Sequence, residues 1–158
     1  MATTHSLTPS VLHSSSDFAR VAAQLEPRMP AANQLIHRNV LGTGVATDPC
    51  FSEARRHLVR TVDLPSVALS MTLGGLKPGQ ATRKHRHSYE TIIYVLQGRG
   101  VSTIESEQIH WQEGDAFYVP PWAWHQHSNL SEDEPALYVA CENAPMLQNL
   151  GAAQREEA

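Results

Sequence analysis

A chain of 158 residues has the length of one domain, and a domain of that size buries enough surface to stand without disulfides. Twelve basic residues against sixteen acidic ones leave a formal charge of −4. That balance argues against nucleic acid as a partner, because phosphate binding needs a basic patch. No stretch approaches the ~20 apolar residues of a membrane span, and no basic start followed by an apolar run marks a signal peptide. Cys50 and Cys141 match no zinc or redox spacing, and that usage suits a reducing, cytoplasmic setting.

In chain order, the first sixteen residues are rich in Ser and Thr and read as a loose arm. A short helix is expected over 17–26: Ser16 or Asp17 caps it, Phe18, Val21, Ala22 and Leu25 give it an apolar face, and Pro27 stops it. Beyond residue 34 short runs of Val, Ile, Thr and aromatics alternate with Gly and Pro. Strands are expected over 35–41, 57–62, 67–73, 91–96, 101–104, 109–111, 117–119, 124–128 and 136–141. Gly74-Gly75, Pro78-Gly79, Gly98-Arg99-Gly100, Glu113-Gly114-Asp115 and Pro120-Pro121 read as the turns between them. Many short strands with regular turns imply an all-β sandwich or barrel, of which the jelly roll is the two-sheet form. The division that follows is an arm and helix over 1–34, a β-barrel over 35–145 and a tail over 146–158 that forms a short helix or frays.

His85-Arg86-His87 is the chemical centre of the sequence. On a strand, residues two apart share a face, so both imidazoles enter the interior side by side, as two ligands of one ion must. His125 lies on a later strand among aromatics and supplies a third nitrogen. Borderline divalent metals accept imidazole readily. Counting by twos from His85 gives His87, Tyr89, Thr91, Ile93 and Val95 as the inward set, and turns Glu90 outward. His127 shares the parity of His125 and is a candidate for catalysis or for holding a ligand in place. Arg83 shares the parity of His85 and is a candidate for binding a substrate carboxylate. Tyr89, Thr91, Ile93 and Trp124 are the further candidates for contact with substrate. His5, His13, His37 and His57 have no partner at ligand spacing and read as incidental, and Asp115 and Asn129 read as turn residues.

The flanking residues carry a resemblance. Five residues separate Gly79 from His85, one separates His85 from His87, and Gly98 closes the strand that follows. Five residues separate Gly114 from Pro120, and three separate His125 from Asn129. In order and spacing these two blocks, over residues 66–143, resemble the two motifs of the cupin superfamily. The resemblance implies a double-stranded β-helix, or jelly-roll barrel, to which the short N-terminal helix read over 17–26 is added. It also implies a metal on His85, His87 and His125. Thr91 stands where the first motif usually has a glutamate ligand, and Trp122 stands where the second usually has glycine. Together with Pro120-Pro121-Trp122-Ala123-Trp124-His125-Gln126-His127-Ser128-Asn129, these departures resemble the gentisate 1,2-dioxygenases, which hold Fe(II) on three histidines and open an aromatic ring with O₂. Those enzymes have two such domains, and an arginine where this chain has Ile93. The resemblance thus implies an Fe(II) dioxygenase acting on a related anionic, bidentate, aromatic or enolisable substrate, and a homodimer or larger assembly. Spacing alone also admits zinc, nickel or manganese, and with them a lyase, isomerase or hydrolase. A non-catalytic ligand-binding domain is the third reading.

Overall fold

The computed structural model describes residues 30–42, 52–53 and 55–158. The expected arm and helix over 1–29, with His5 and His13, lie outside the described residues, as does Cys50. Among the described residues, ten strands follow a 3₁₀ turn at Ala32–Gln34: β1 Leu58–Thr61, β2 Ser70–Leu76, β3 His85–His87, β4 Thr91–Gln97, β5 Arg99–Ile104, β6 Glu107–Gln112, β7 Ala116–Val119, β8 His125–Asn129, β9 Ala136–Glu142 and β10 Arg155–Glu157. A short helix, α1, spans Ala144–Asn149 between β9 and β10.

The strands form two five-stranded antiparallel sheets, ordered β1-β2-β9-β4-β7 and β10-β3-β8-β5-β6. The chain crosses from one sheet to the other at nearly every connection, so neighbours in a sheet are distant in sequence. This is the double-stranded β-helix of a cupin fold. Alternation along the strands sets the two faces: in β4, Thr91, Ile93 and Val95 are buried while Ile92 and Tyr94 are exposed. Leu76, Ile93, Val95, Val119, Ala136, Tyr138 and Ala140 of the first sheet pack against Trp111 and Ile104 of the second. No ladder joins the two sheets among the described residues.

Three local expectations are corrected. Residues 35–41 form no strand, because Asn39 takes a left-handed conformation (φ 54°) and Leu35, Ile36 and Leu41 stay exposed with no sheet to meet. Gly74-Gly75 is not a turn but the middle of β2, where a Cβ on Gly74 would overlap the Tyr138 ring. Gly74 marks a close approach of its strand to the Tyr138 ring rather than a reversal of the chain. The tail forms α1 and also a strand: β10 pairs with β3, with Arg155 opposite His87 and Glu157 opposite His85. Gly98 is a turn as expected, with φ 84° and a Cβ position only 2.8 Å from the Pro135 carbonyl oxygen.

Candidate metal centre and the cavity beside it

β3 and β8 meet at one register, His85 opposite His125, and His87 follows two residues along on the same face. All three imidazoles are buried. Their ring centroids are separated by 4.1 Å (His85 to His125), 4.8 Å (His87 to His125) and 5.6 Å (His85 to His87). One nitrogen from each lies within 4.8 Å of the others.

The backbone selects which nitrogen that is. His85 Nδ1 is 2.8 Å from the Arg83 carbonyl, His87 Nδ1 is 2.8 Å from the Tyr89 carbonyl, and His125 Nδ1 is 2.9 Å from the Ala123 carbonyl. A carbonyl only accepts, so each Nδ1 carries the proton and donates it. Each Nε2 is left with a bare lone pair. Orientation of this kind is what a metal-ligating histidine needs. Burial also keeps the rings neutral: it pulls His85 down to about 2, with the facing His125 adding to the effect, and His87 down to about 4. Burial lowers His125 as well. Three neutral, converging nitrogen donors fit a borderline divalent cation such as iron or zinc.

Backbone contacts fix the ends of these strands. The Glu105 side chain accepts from Trp124 N at 2.7 Å while Glu105 N donates to Trp124 O at 2.8 Å, which sets the start of β8. Trp122 N donates to His87 O at 2.6 Å, and Trp122 itself has φ 64°. That left-handed backbone explains why glycine is usual at this place; here a tryptophan adopts it. Arg86 lies 4.6 Å from the Trp122 ring centre and 4.7 Å from that of Trp124.

A cavity of about 70 Å³ opens beside the histidines. His85, Tyr89, Thr91, Ile93 and His127 line it, as do Arg55, His57, Tyr138, Glu142 and Arg155. Tyr89 stacks on His87 at 3.9 Å with 3° between the planes. His127 Nδ1 lies 2.7 Å from Ser102 Oγ, which accepts from Trp111 Nε1 at 2.9 Å. Burial holds His127 well below its ordinary value, so it is neutral at physiological pH. Arg83 and Trp124 are not among the lining residues. Arg83 Nε is instead 3.1 Å from Glu157, and Trp124 stacks on Arg86. Glu90 points outward, is exposed, and accepts from the Tyr118 hydroxyl at 2.9 Å.

Four lining groups escape a reading of the sequence. His57, taken there as incidental, is buried, with Nδ1 2.9 Å from the Arg55 carbonyl and Nε2 3.1 Å from the Tyr138 hydroxyl. Glu142 sits opposite Thr91 and accepts from its hydroxyl at 3.3 Å, so a carboxyl stands one strand away from the position where a glutamate ligand is usual. Counting by twos from Tyr138 would have found it. Burial raises the Glu142 carboxyl above its ordinary range, against the opposing bond from Thr91. Arg55 and Arg155 carry no signal in the local pattern. Asn129 is a structural clamp, donating to the carbonyls of Leu76, Lys77 and Glu134.

Two buried histidines on one strand and a third on its neighbour bring three imidazole donors together within the strand order of a cupin fold. Residues 73–141 match the family described as Cupin domain. Over 95 residues the chain is 34% identical to a 5-aminosalicylate 1,2-dioxygenase of a Comamonas species, covering 60% of this chain and 24% of that protein. Over 71 residues it is 38% identical to gentisate 1,2-dioxygenase 1 of Aquipseudomonas alcaligenes, covering 44% and 20%. Over 80 residues it is 30% identical to a dimethylsulfoniopropionate lyase of Ruegeria pomeroyi, covering 50% and 53%. The chain thus matches less than a quarter of the length of the first two relatives and about half of the third. Among solved structures, the salicylate 1,2-dioxygenase of Pseudaminobacter salicylatoxidans superposes with a TM-score of 0.60 at 19% identity, covering 64% of this chain and 30% of that one. That likeness establishes the fold. No described helix is long and apolar enough to cross a membrane.

Proposed function

We propose that this chain is an Fe(II)-dependent dioxygenase that cleaves a small anionic, bidentate substrate of salicylate type, or an enolisable analogue, with O₂. The observation that supports it is the set of three buried histidines whose Nδ1 protons are tied to backbone carbonyls, leaving three Nε2 lone pairs to converge. The dioxygenase relatives favour iron over zinc, nickel or manganese for these donors. Iron held there would pass electron density from a chelating substrate to O₂.

The chain's own residues supply the rest. His85, His87 and His125 stay neutral and leave the charge of a divalent ion uncompensated, which draws an anion into a low-dielectric site. Val59, Ile93 and Ala140 line the cavity with apolar surface that excludes water. Tyr89 and Thr91 present hydroxyls to a bound ligand. His127, held at Nδ1 by Ser102, serves as a neutral hydrogen-bonding or proton-accepting group. A homodimer belongs to the same reading, supported by the exposed Met71, Ile92, Tyr94 and Tyr118 on the outer face of the first sheet. A reducing, cytoplasmic setting belongs to the same reading, supported by two cysteines that match no zinc or redox spacing.

A second reading, a metal-dependent lyase acting on a small acyclic acid, is favoured by one dimension. The cavity of about 70 Å³ is well under the ~150 Å³ that encloses a benzene ring, and one relative is a lyase. Tyr89 would then be the base near the ion. Metal content of anaerobically purified protein and O₂ uptake with salicylate, 5-aminosalicylate, gentisate, catechols and β-diketones separate the readings. Iron near one per chain with substrate-dependent uptake supports the dioxygenase. Zinc, nickel or manganese with no uptake across the panel supports the lyase or a non-catalytic binding domain.

A further inference from the structure

The wall of the cavity that the first sheet supplies carries one aromatic ring among the described residues, that of Tyr138. Tyr138 stands in β9 between Gly74 of β2 and Val95 of β4 and is buried. Its ring lies over β2: a Cβ on Gly74 would overlap both the ring carbons and the hydroxyl. From there the hydroxyl reaches His57, just before β1, at 3.1 Å. His57 Nδ1 donates to the Arg55 carbonyl at 2.9 Å, so its Nε2 is bare and accepts the Tyr138 proton. Both side chains are buried, so neither hydrogen-bonding group can be released to water cheaply. Across the cavity the centre of the His127 ring is 5.9 Å from that of Tyr138. The ring thus has the backbone of β2 on one side, His127 on the other, and its far end tied. What remains open is about 70 Å³, against the ~150 Å³ that holds a benzene molecule.

We propose that Tyr138 is a specificity-determining residue: seated on Gly74 and pinned by His57, it limits this site to chelating ligands smaller than a benzene ring. A side chain of ring size stands where a ring-sized ligand would have to go, and packed groups on both sides keep it from withdrawing. The ligand class is a short acyclic anion that offers two oxygens, such as the enolate of a small β-diketone. The inference rests on the reading of this cavity as the substrate site, and within that reading it selects the enolisable ligand over the aromatic one.

The test is anaerobic calorimetry on the full chain loaded with Co(II), using acetohydroxamate and benzohydroxamate. These probes offer the same two oxygens and differ by a methyl against a phenyl group. Benzohydroxamate should bind about tenfold or more weakly than acetohydroxamate, the cost of forcing a ring into a packed site. Tyr138→Leu and Tyr138→Ala should each strengthen benzohydroxamate binding about tenfold or more, with acetohydroxamate and Co(II) affinities within about threefold of the unchanged protein. Tyr138→Phe keeps the bulk and loses only the tie to His57, so it should keep most of the exclusion. Equal or tighter binding of benzohydroxamate by the unchanged protein, which needs no variant to fold, would overturn the filter. So would undiminished exclusion in both the Leu and Ala variants, or a gain in the Phe variant as large as in the Leu variant. Failure of acetohydroxamate to bind the unchanged chain would remove the substrate-site reading and the filter with it. Exclusion of the ring with no O₂ uptake from acetylacetone under air sustains the filter and removes the oxygenase reading alone.

Discussion

The converging imidazoles of the histidine wall come from two strands that meet at one register, whereas the charged lining of the cavity beside it draws Arg55, Glu142 and Arg155 from distant parts of the chain. On the first wall each imidazole is held by a carbonyl two residues away in its own strand or turn. On the second, Glu142 is held by Thr91 on another strand, and Arg155 is placed by the pairing of β10 with β3. The same cavity thus combines a short-range device that orients nitrogen lone pairs with a long-range device that gathers charge. The two are expected to fail separately.

Substitutions in the first wall have the largest effect. His85→Ala, His87→Ala and His125→Ala should each abolish tight metal binding, measured as metal retained per chain after dialysis. Full retention in any one removes that residue from the ligand set. Acid should act next. The folded values of His85 and His87 lie below the value near 6.5 of an unfolded chain. Their contribution is therefore present above about pH 6.5. It is lost as pH falls towards about 4 for His87 and about 2 for His85. Each histidine that stays neutral while its unfolded counterpart protonates costs about 1.4 kcal/mol per pH unit. Glu142, raised by burial, works with the opposite sign and offsets part of the loss. Urea titrations of metal-free protein at about pH 7.5, 6 and 5 should show a flat region and then a steep fall; equal stability at all three would mean that the rings are charged in the folded state.

Gly74→Ala probes the packing behind both walls. The added methyl meets the Tyr138 ring and should cost about 1–3 kcal/mol, read from the urea midpoint. An unchanged midpoint would mean that the ring moves freely, taking its bond to His57 with it. Glu90→Ala should do least. It removes a surface acceptor for Tyr118, so metal content should not change and stability should shift by no more than about 0.5 kcal/mol. A loss of metal there would bring Glu90 inward and add a carboxylate to the histidine wall.

The same division governs what the residues alone reveal. Strand parity from His85 places Tyr89, Thr91, Ile93 and Val95 inward and Glu90 outward, as observed, because a period of two survives without knowledge of the partner strand. Ladder pairing has no such signature. The tail holding Arg155 reads as polar and unremarkable until β3 is there to receive it. Arg83 has the parity of a cavity residue, yet it is taken by Glu157 of that same strand. His57 looks isolated because its partner, Tyr138, is distant in sequence. Residues 35–41 show the converse error: an apolar run that reads as a strand stays single when the backbone turns left-handed at Asn39.

The pairing of β10 with β3 also orders events in time. A chain leaving the ribosome has all three histidines once residue 125 is made, and β8 can meet β3 soon after. Until residues 155–157 follow, β3 presents an open edge, of the kind that invites pairing with another chain. Synthesis from the N-terminus therefore favours assembly of the histidine cluster first, with Arg155 added only when β10 docks. A change beside Arg155 would therefore act on a part of the cavity lining that forms after the histidine cluster.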